Sequence, residues 1–175
     1  APRNRGVVER SNARHADLIV VTGDFQDGTV AARADDVRPL RELRAPDGVR
    51  GVPGNHEYYT SYPAWMAALR ALGFTLLENQ HVLIERDGQR LAVAGLTDRQ
   101  AAAFGQPVPD LDAALAGIPA GVPVIVLSHR PDSAPEVARA GVAQELAGPT
   151  HGGQMRGPDQ VTPNANPGIQ AGHYT

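Results

Sequence analysis

The sequence predicts an α/β fold, and three observations carry that prediction. Short apolar runs recur along the chain and alternate with stretches of helical periodicity. Apolar residues make up 42% and charged residues 20%, the balance of a packed globular domain. No apolar run approaches the ~20 residues that a membrane helix needs, so the apolar runs are core elements.

Each element follows from its own stretch. Residues 5–15 carry a weak helical pattern. "DLIVV" (17–21) is the first strand. A second weak helix covers 30–44, and Pro39 should break it, because proline removes a backbone donor. "GVRGV" (48–52) is the second strand. "PAWMAALRALG" is the clearest helix, with Pro63 suited to its first turn and Gly73 to its end. Trp65, Leu69 and Leu72 fall at i, i+4 and i+7, one face of a packed helix. "HVLIER" (81–86) and "RLAVAGL" (90–96) are strands joined by Asp87-Gly88, a hairpin turn signal. A helix near 110–116, the strand "PVIVLS" (123–128), a helix near 133–140 and the strand "VAQELA" (142–147) complete the series. Residues 152–175, rich in Gly, Pro, Asn and Gln, read as loop. With no repeat and no linker, residues 1–175 read as a single domain.

Composition narrows the function. The net charge is -3, all positive side chains are arginine, and no basic stripe offers a nucleic-acid patch. Cysteine is absent, which removes disulfides and thiol chemistry. "APRNRGVVER" lacks the apolar core of a signal peptide. The chain as given reads as soluble, with no membrane segment; a membrane-associated or exported full-length form stays open.

The chemistry follows the strands. "DLIVVTGD" ends in Asp24, "GVRGVPGNH" in Asn55 and His56, "PVIVLSH" in His129, and "VAQELAGPTH" in His151. In α/β sheets ligands sit beyond the carboxyl ends of the strands. Strands lying side by side and parallel would gather these groups on one edge, with Gly23 and Gly54 allowing close backbone approach. A lone strand-end Asp is usually a turn residue or a helix cap, and a lone His usually a hydrogen-bonded structural residue. Four such endings in one small domain point instead to a metal site. Mixed Asp, Asn and His donors suit Mn, Fe, Zn or a similar ion better than calcium. A carboxylate can bridge two ions, and two ions form a clamp for in-line hydrolysis of a phosphate ester.

"VVTGDFQDG", "GVPGNHEYY", "VIVLSHRP" and "LAGPTHGGQ", in this order, resemble the calcineurin-like metallophosphoesterases, most closely the bacterial branch with Gly-Asn-His-Glu-Tyr-Tyr and Gly-His-Thr-His-Gly-Gly-Gln motifs. The likeness covers about residues 5 to 155. It implies a two-sheet β-sandwich flanked by helices and two divalent metal ions at one edge, acting on phosphomonoesters or phosphodiesters. By the same resemblance Asp24 bridges the ions, Asn55 and His129 hold the second, and His151 holds the first. His56 sits over the phosphate to stabilise charge or protonate the leaving oxygen, and Asp27 orients its ring. Glu57 supports the ligands or starts a helix.

This sequence departs from the pattern in three places. The family begins with a strand ending in Asp-x-His, and residues 1–23 hold no such triplet, so the first strand is expected to be missing. Pro149 stands where the family loop has the first of its two histidines, and proline offers no side-chain ligand. Thr97 in "GLTD" stands where the branch usually has Asp. A metal-dependent phosphoesterase is therefore one reading. A degenerate, non-catalytic relative that binds metal or a phosphate-bearing ligand weakly is the other. An unrelated nucleotide-binding module is disfavoured, because no Gly-rich phosphate loop opens a helix.

Overall fold

A computed structural model describes residues 2–148. Helix α1 (Pro2–Asn12) leads into strand β1 (Ile19–Val21). Helix α2 (Val30–Val37) passes into a 3-10 turn (Arg38–Glu42) at Pro39, as the sequence predicts. Strand β2 (Val49–Gly51), helices α3 (Asn55–Thr60) and α4 (Tyr62–Ala71), and the short strand β3 (Thr75–Leu76) follow. Strands β4 (Gln80–Arg86) and β5 (Gln89–Gly95) form the expected hairpin; Asp87 and Gly88 turn it with φ of 52° and 73°. A 3-10 helix (Arg99–Phe104), helix α5 (Leu111–Leu115), strand β6 (Val124–Leu127), helix α6 (Ala134–Arg139) and strand β7 (Gln144–Leu146) complete the described chain.

The strands form two sheets. One has the order β1-β2-β3 and is parallel throughout. The other has the order β4-β5-β6-β7, with an antiparallel hairpin followed by parallel pairs. The four chemistry-bearing strands thus do not share one sheet. β1 and β2 belong to the first, β6 and β7 to the second, and their ends meet because the sheets pack face to face.

The strand alternation shows the layering. In the first sheet Leu18 and Val20 face an inner core with Val52 and Leu77, while Ile19 and Val21 face an outer core. In the second sheet Leu91, Val93, Ile125 and Leu127 enter the same inner core, while Ala94, Val124 and Val126 face outward. The outer face of the first sheet is covered by Val8, Val37, Trp65, Met66 and Leu69 from α1, α2 and α4. That of the second is covered by Leu111, Ala114 and Val137 from α5 and α6. The result is a helix–sheet–sheet–helix sandwich. Parallel strands buried on both faces read as continuous apolar runs, which is why the sequence displays them so plainly.

Trp65 and Leu69 are fully buried and Leu72 packs at the edge of their core, so the predicted helix face points inward. Among the described residues no helix is long and apolar enough to cross a membrane.

Candidate metal centre

The loop after β1 turns sharply. Gly23 and Asp24 have φ of 91° and 55°, two successive left-handed residues. A non-glycine residue pays ~1–2 kcal/mol for this backbone, so the surroundings must hold Asp24 there. Glu57 does much of the holding. It is completely buried, and it accepts the N–H of Gly54 (2.7 Å), Phe25 (2.9 Å) and Asp24 (3.1 Å). Burial pushes the Glu57 carboxyl up from its usual range; the backbone N–H groups oppose that rise, and the charge of Asp24 adds to it. The carboxylate therefore ties the β1 loop to the start of α3, the Glu half of a capping box extended to a second loop.

The two glycines make the contact possible. A Cβ on Gly23 would lie 2.5 Å from the Gly54 nitrogen, and a Cβ on Gly54 would fall on Asp24 Oδ1. With both absent, the His56 N–H reaches Asp24 Oδ1 at 3.1 Å.

His129 arrives from the second sheet, at the end of β6, with its side chain 2% exposed. Its Nδ1 lies 2.7 Å from the Thr22 carbonyl, which can only accept, so Nδ1 carries a hydrogen. Nε2 then faces Asp24 Oδ2 at 3.3 Å and Asn55 Oδ1 at 3.1 Å. Burial works against the Asp24 charge, but the hydrogen bond and positive charge of His129 hold its carboxyl below the usual range. Burial also lowers the His129 pKa, but the hydrogen bond and charge of Asp24, with the Thr22 carbonyl, raise it to a net value above that of ordinary imidazole.

Asn55 is fixed from both ends. Its Nδ2 donates to the Tyr59 hydroxyl at 3.0 Å, and its Oδ1 accepts from Arg130 Nη2 at 2.7 Å. Arg130 is held in turn by its Nε on Asp98 Oδ2 at 3.0 Å, a carboxylate 1% exposed. His56 stands at the rim, 37% exposed, with Nε2 3.7 Å from Asp24 and Nδ1 in contact with the Asp27 carboxylate.

A carboxylate oxygen, an amide oxygen and an imidazole nitrogen thus converge from two sheets. Ligand atoms ~2.0–2.1 Å from a tetrahedral ion lie about 3.3 Å apart, and the observed 3.1 and 3.3 Å match that spacing. The Nδ1–carbonyl bond of His129 is the usual support for a ligating imidazole. The donor set therefore fits one divalent ion. Counting only His, Cys, Asp and Glu, no group of three that could hold an ion occurs among the described residues; the amide of Asn55 would have to serve as the third donor.

Of the predicted site residues, the structure brings together Asp24, Asn55, His129, His56 and Asp27. His151 and Pro149 lie outside the described residues. The last described residue, Gly148, donates its N–H to the His129 carbonyl at 3.1 Å and packs on Thr22, so the chain leaves the described region beside the site. Thr97 directs its N–H and hydroxyl to Asn79 Oδ1, at 3.1 and 3.2 Å. Sequence reading did not single out Tyr59, Arg130 or Thr22. Tyr59 was legible as the i+4 partner of Asn55 once α3 is read as a helix. Arg130 follows His129 directly. Thr22 acts through its backbone, which no residue type reveals.

The calcineurin-like phosphoesterase family pattern matches residues 3–163. The chain is 36% identical over 157 residues to a metallophosphoesterase-named protein of Caenorhabditis elegans, covering 85% of this chain and 33% of that protein. It is 30% identical over 157 residues to a transmembrane protein with metallophosphoesterase domain from Danio rerio, covering 85% and 36%. It is 32% identical over 156 residues to an uncharacterized metallophosphoesterase of Bacillus subtilis, covering 87% and 53%. The chain spans between a third and about half of the length of these relatives. Match and fold agree: the chain belongs to the calcineurin-like phosphoesterase family.

Proposed function

We propose that this domain hydrolyses phosphate esters with the help of a dinuclear metal centre. The supporting observation is the convergence of Asp24, Asn55 and His129 from two sheets at ligand spacing, with His56 and Asp27 at its rim. Asp24 would be shared between the two ions, Asn55 and His129 would complete the protein ligands of one, and His151 would serve the other. The ions, Mn, Fe, Zn or similar, supply Lewis-acid activation of the phosphoryl group and of the attacking water.

The chain's own residues do the rest. Thr22 fixes the His129 ring, and Tyr59 with Arg130 fixes the Asn55 amide with its oxygen inward. Glu57 holds the Asp24 backbone N–H, and the His56 N–H holds the Asp24 carboxylate. Oriented by Asp27, His56 would give a proton from Nε2 to the leaving oxygen as the bond from phosphorus to that oxygen breaks, while water forms the new bond and leaves its proton on the phosphate product. Beside His129 a cleft of about 190 Å³ is lined by Arg99 and Arg130, each paired with a carboxylate of the same cleft, Asp132 and Asp98. A full-length form would be membrane-associated, as the name of the Danio rerio relative suggests.

One observation favours a second reading, a degenerate domain that binds metal or a phosphate-bearing ligand weakly without turnover. Arg130 already satisfies Asn55 Oδ1 at 2.7 Å, so that oxygen needs no ion. Mn titration by calorimetry, run beside hydrolysis of an aryl phosphodiester, separates the two. The phosphoesterase reading expects saturable Mn binding and Mn-dependent turnover, with His129→Ala lowering both at least 100-fold. Weak binding without turnover supports the second reading. An absence of Mn binding overturns the phosphoesterase reading, and an absence of both Mn and inorganic phosphate binding overturns the second as well.

A further inference from the structure

The rim of the site continues into a row of aromatic rings. His56 and Tyr59 have ring centroids 5.3 Å apart, and Tyr59 and Phe104 are 6.3 Å apart. Tyr59 is 51% and Phe104 43% exposed, and they are two of the few large apolar side chains that the described surface shows. Neither ring is loosely held. The Tyr59 hydroxyl accepts from Asn55 Nδ2 at 3.0 Å, and Phe104 rests 6.4 Å from Tyr58, which is buried and stacked on Tyr62 at 4.3 Å. Exposed aromatics scattered singly need no explanation, but two adjacent ones, the first of them bonded to a candidate ligand, do.

We propose that Tyr59 and Phe104 form a shelf for the leaving group of the phosphoester, and that this leaving group carries a flat aromatic ring. The inference rests on the phosphoesterase reading. In that reading His56 marks the position of the leaving oxygen, so whatever is bonded to it lies on the His56 side of the site. Tyr59 is the next ring outward, and Phe104 follows it. A planar group bonded to that oxygen comes within the roughly 4.5–7 Å at which rings stack or meet edge to face. The rings are preorganised, so little entropy is lost when a rigid partner settles on them. The class includes aryl groups and nucleobases, since each presents a π-face.

Phenylphosphonate, octylphosphonate and methylphosphonate, none of which is hydrolysed at its P–C bond, separate the possibilities. Their binding to the Mn-loaded chain is measured by calorimetry, and ring contacts by NMR of the Tyr and Phe side chains. Phenylphosphonate should bind at least fivefold tighter than methylphosphonate and shift the Tyr59 and Phe104 resonances. Phe104→Ala should lower the phenyl-to-methyl affinity ratio about fivefold; Phe104→Leu, which keeps apolar bulk and guards against a folding defect, should lower it nearly as far. Equal binding of phenyl- and methylphosphonate overturns the shelf and leaves the phosphoesterase reading standing. Octylphosphonate binding as tightly as phenylphosphonate overturns the aromatic assignment in favour of an apolar chain. Failure of all three to bind in the presence of Mn overturns the shelf and the phosphoesterase reading together. The nucleobase and simple aryl cases divide on whether nucleoside phosphonates exceed phenylphosphonate.

Discussion

Glu57 shows how one side chain can set the geometry of several others. Its Oε2 accepts from Gly54 and Asp24, and its Oε1 accepts from Phe25. In Glu57→Gln the shape survives, but whichever oxygen becomes NH2 leaves a buried backbone N–H facing a donor. Urea unfolding should show a loss of about 1–3 kcal/mol, and Mn affinity should fall with it, because the Asp24 loop is released. Unchanged stability would mean that these N–H groups are satisfied elsewhere. Tyr59→Phe separates positioning from packing at the same scale. It removes only the hydroxyl that takes Asn55 Nδ2, so stability should change by less than about 1 kcal/mol. The freed amide can then turn its nitrogen inward, and Mn affinity should drop roughly tenfold or more. Because the ring remains, preference for a phenyl group should persist. A Tyr59→Phe chain with unaltered Mn affinity would remove Tyr59 from the ligand support.

At the scale of elements, the contact between the β1 loop and the start of α3 depends on two missing side chains. Gly54 has φ of -100°, a conformation open to any residue, so the cost of Gly54→Ala is purely steric. The added Cβ would meet Asp24 Oδ1 and, at 2.5 Å, the Asp24 nitrogen. Thermal unfolding should report about 1–3 kcal/mol of overpacking, and Mn titration should report a displaced carboxylate. A stable variant with intact Mn binding would show that the loops have slack. The need for glycine at both positions was visible in the sequence, as was every strand long enough to alternate, and so were the candidate site residues that end them. What stayed hidden has local causes. β3 is only Thr75–Leu76, too short for any periodicity. α3, Asn55–Thr60, is so polar and short that "GNH" reads equally as a turn. The sheet partition was also hidden, because a continuous apolar run reports that a strand is buried on both faces, not which sheet it joins.

For the whole molecule, the site is a seam: Asp24 and Asn55 follow strands of the first sheet and His129 follows a strand of the second. An ion held by all three ties the sheets together and stabilises the folded state by ~2.7 kcal/mol at a hundredfold excess over its dissociation constant. The Pro149→His change tests whether this coupling can be strengthened. Pro149 follows Gly148, which sits against Thr22 and His129, and the motif resemblance puts a histidine at its position. Pro149→His would offer a fourth protein donor to an ion otherwise held by a carboxylate, an amide and one imidazole. A missing neutral donor loosens an ion, and even the groups that merely orient ligands are worth about 10–100-fold in affinity. Mn affinity should therefore rise at least tenfold, and the Mn-induced increase in unfolding temperature should grow in parallel. The competing account is that Pro149 only shapes the chain as it leaves β7. It predicts flat Mn affinity and a lower unfolding temperature without metal, because the fixed φ of proline is lost. Measuring both quantities with and without Mn decides between them. If the variant is less stable and binds Mn no better, position 149 is not a ligand position and the alignment of "GPTHGGQ" with the family loop fails.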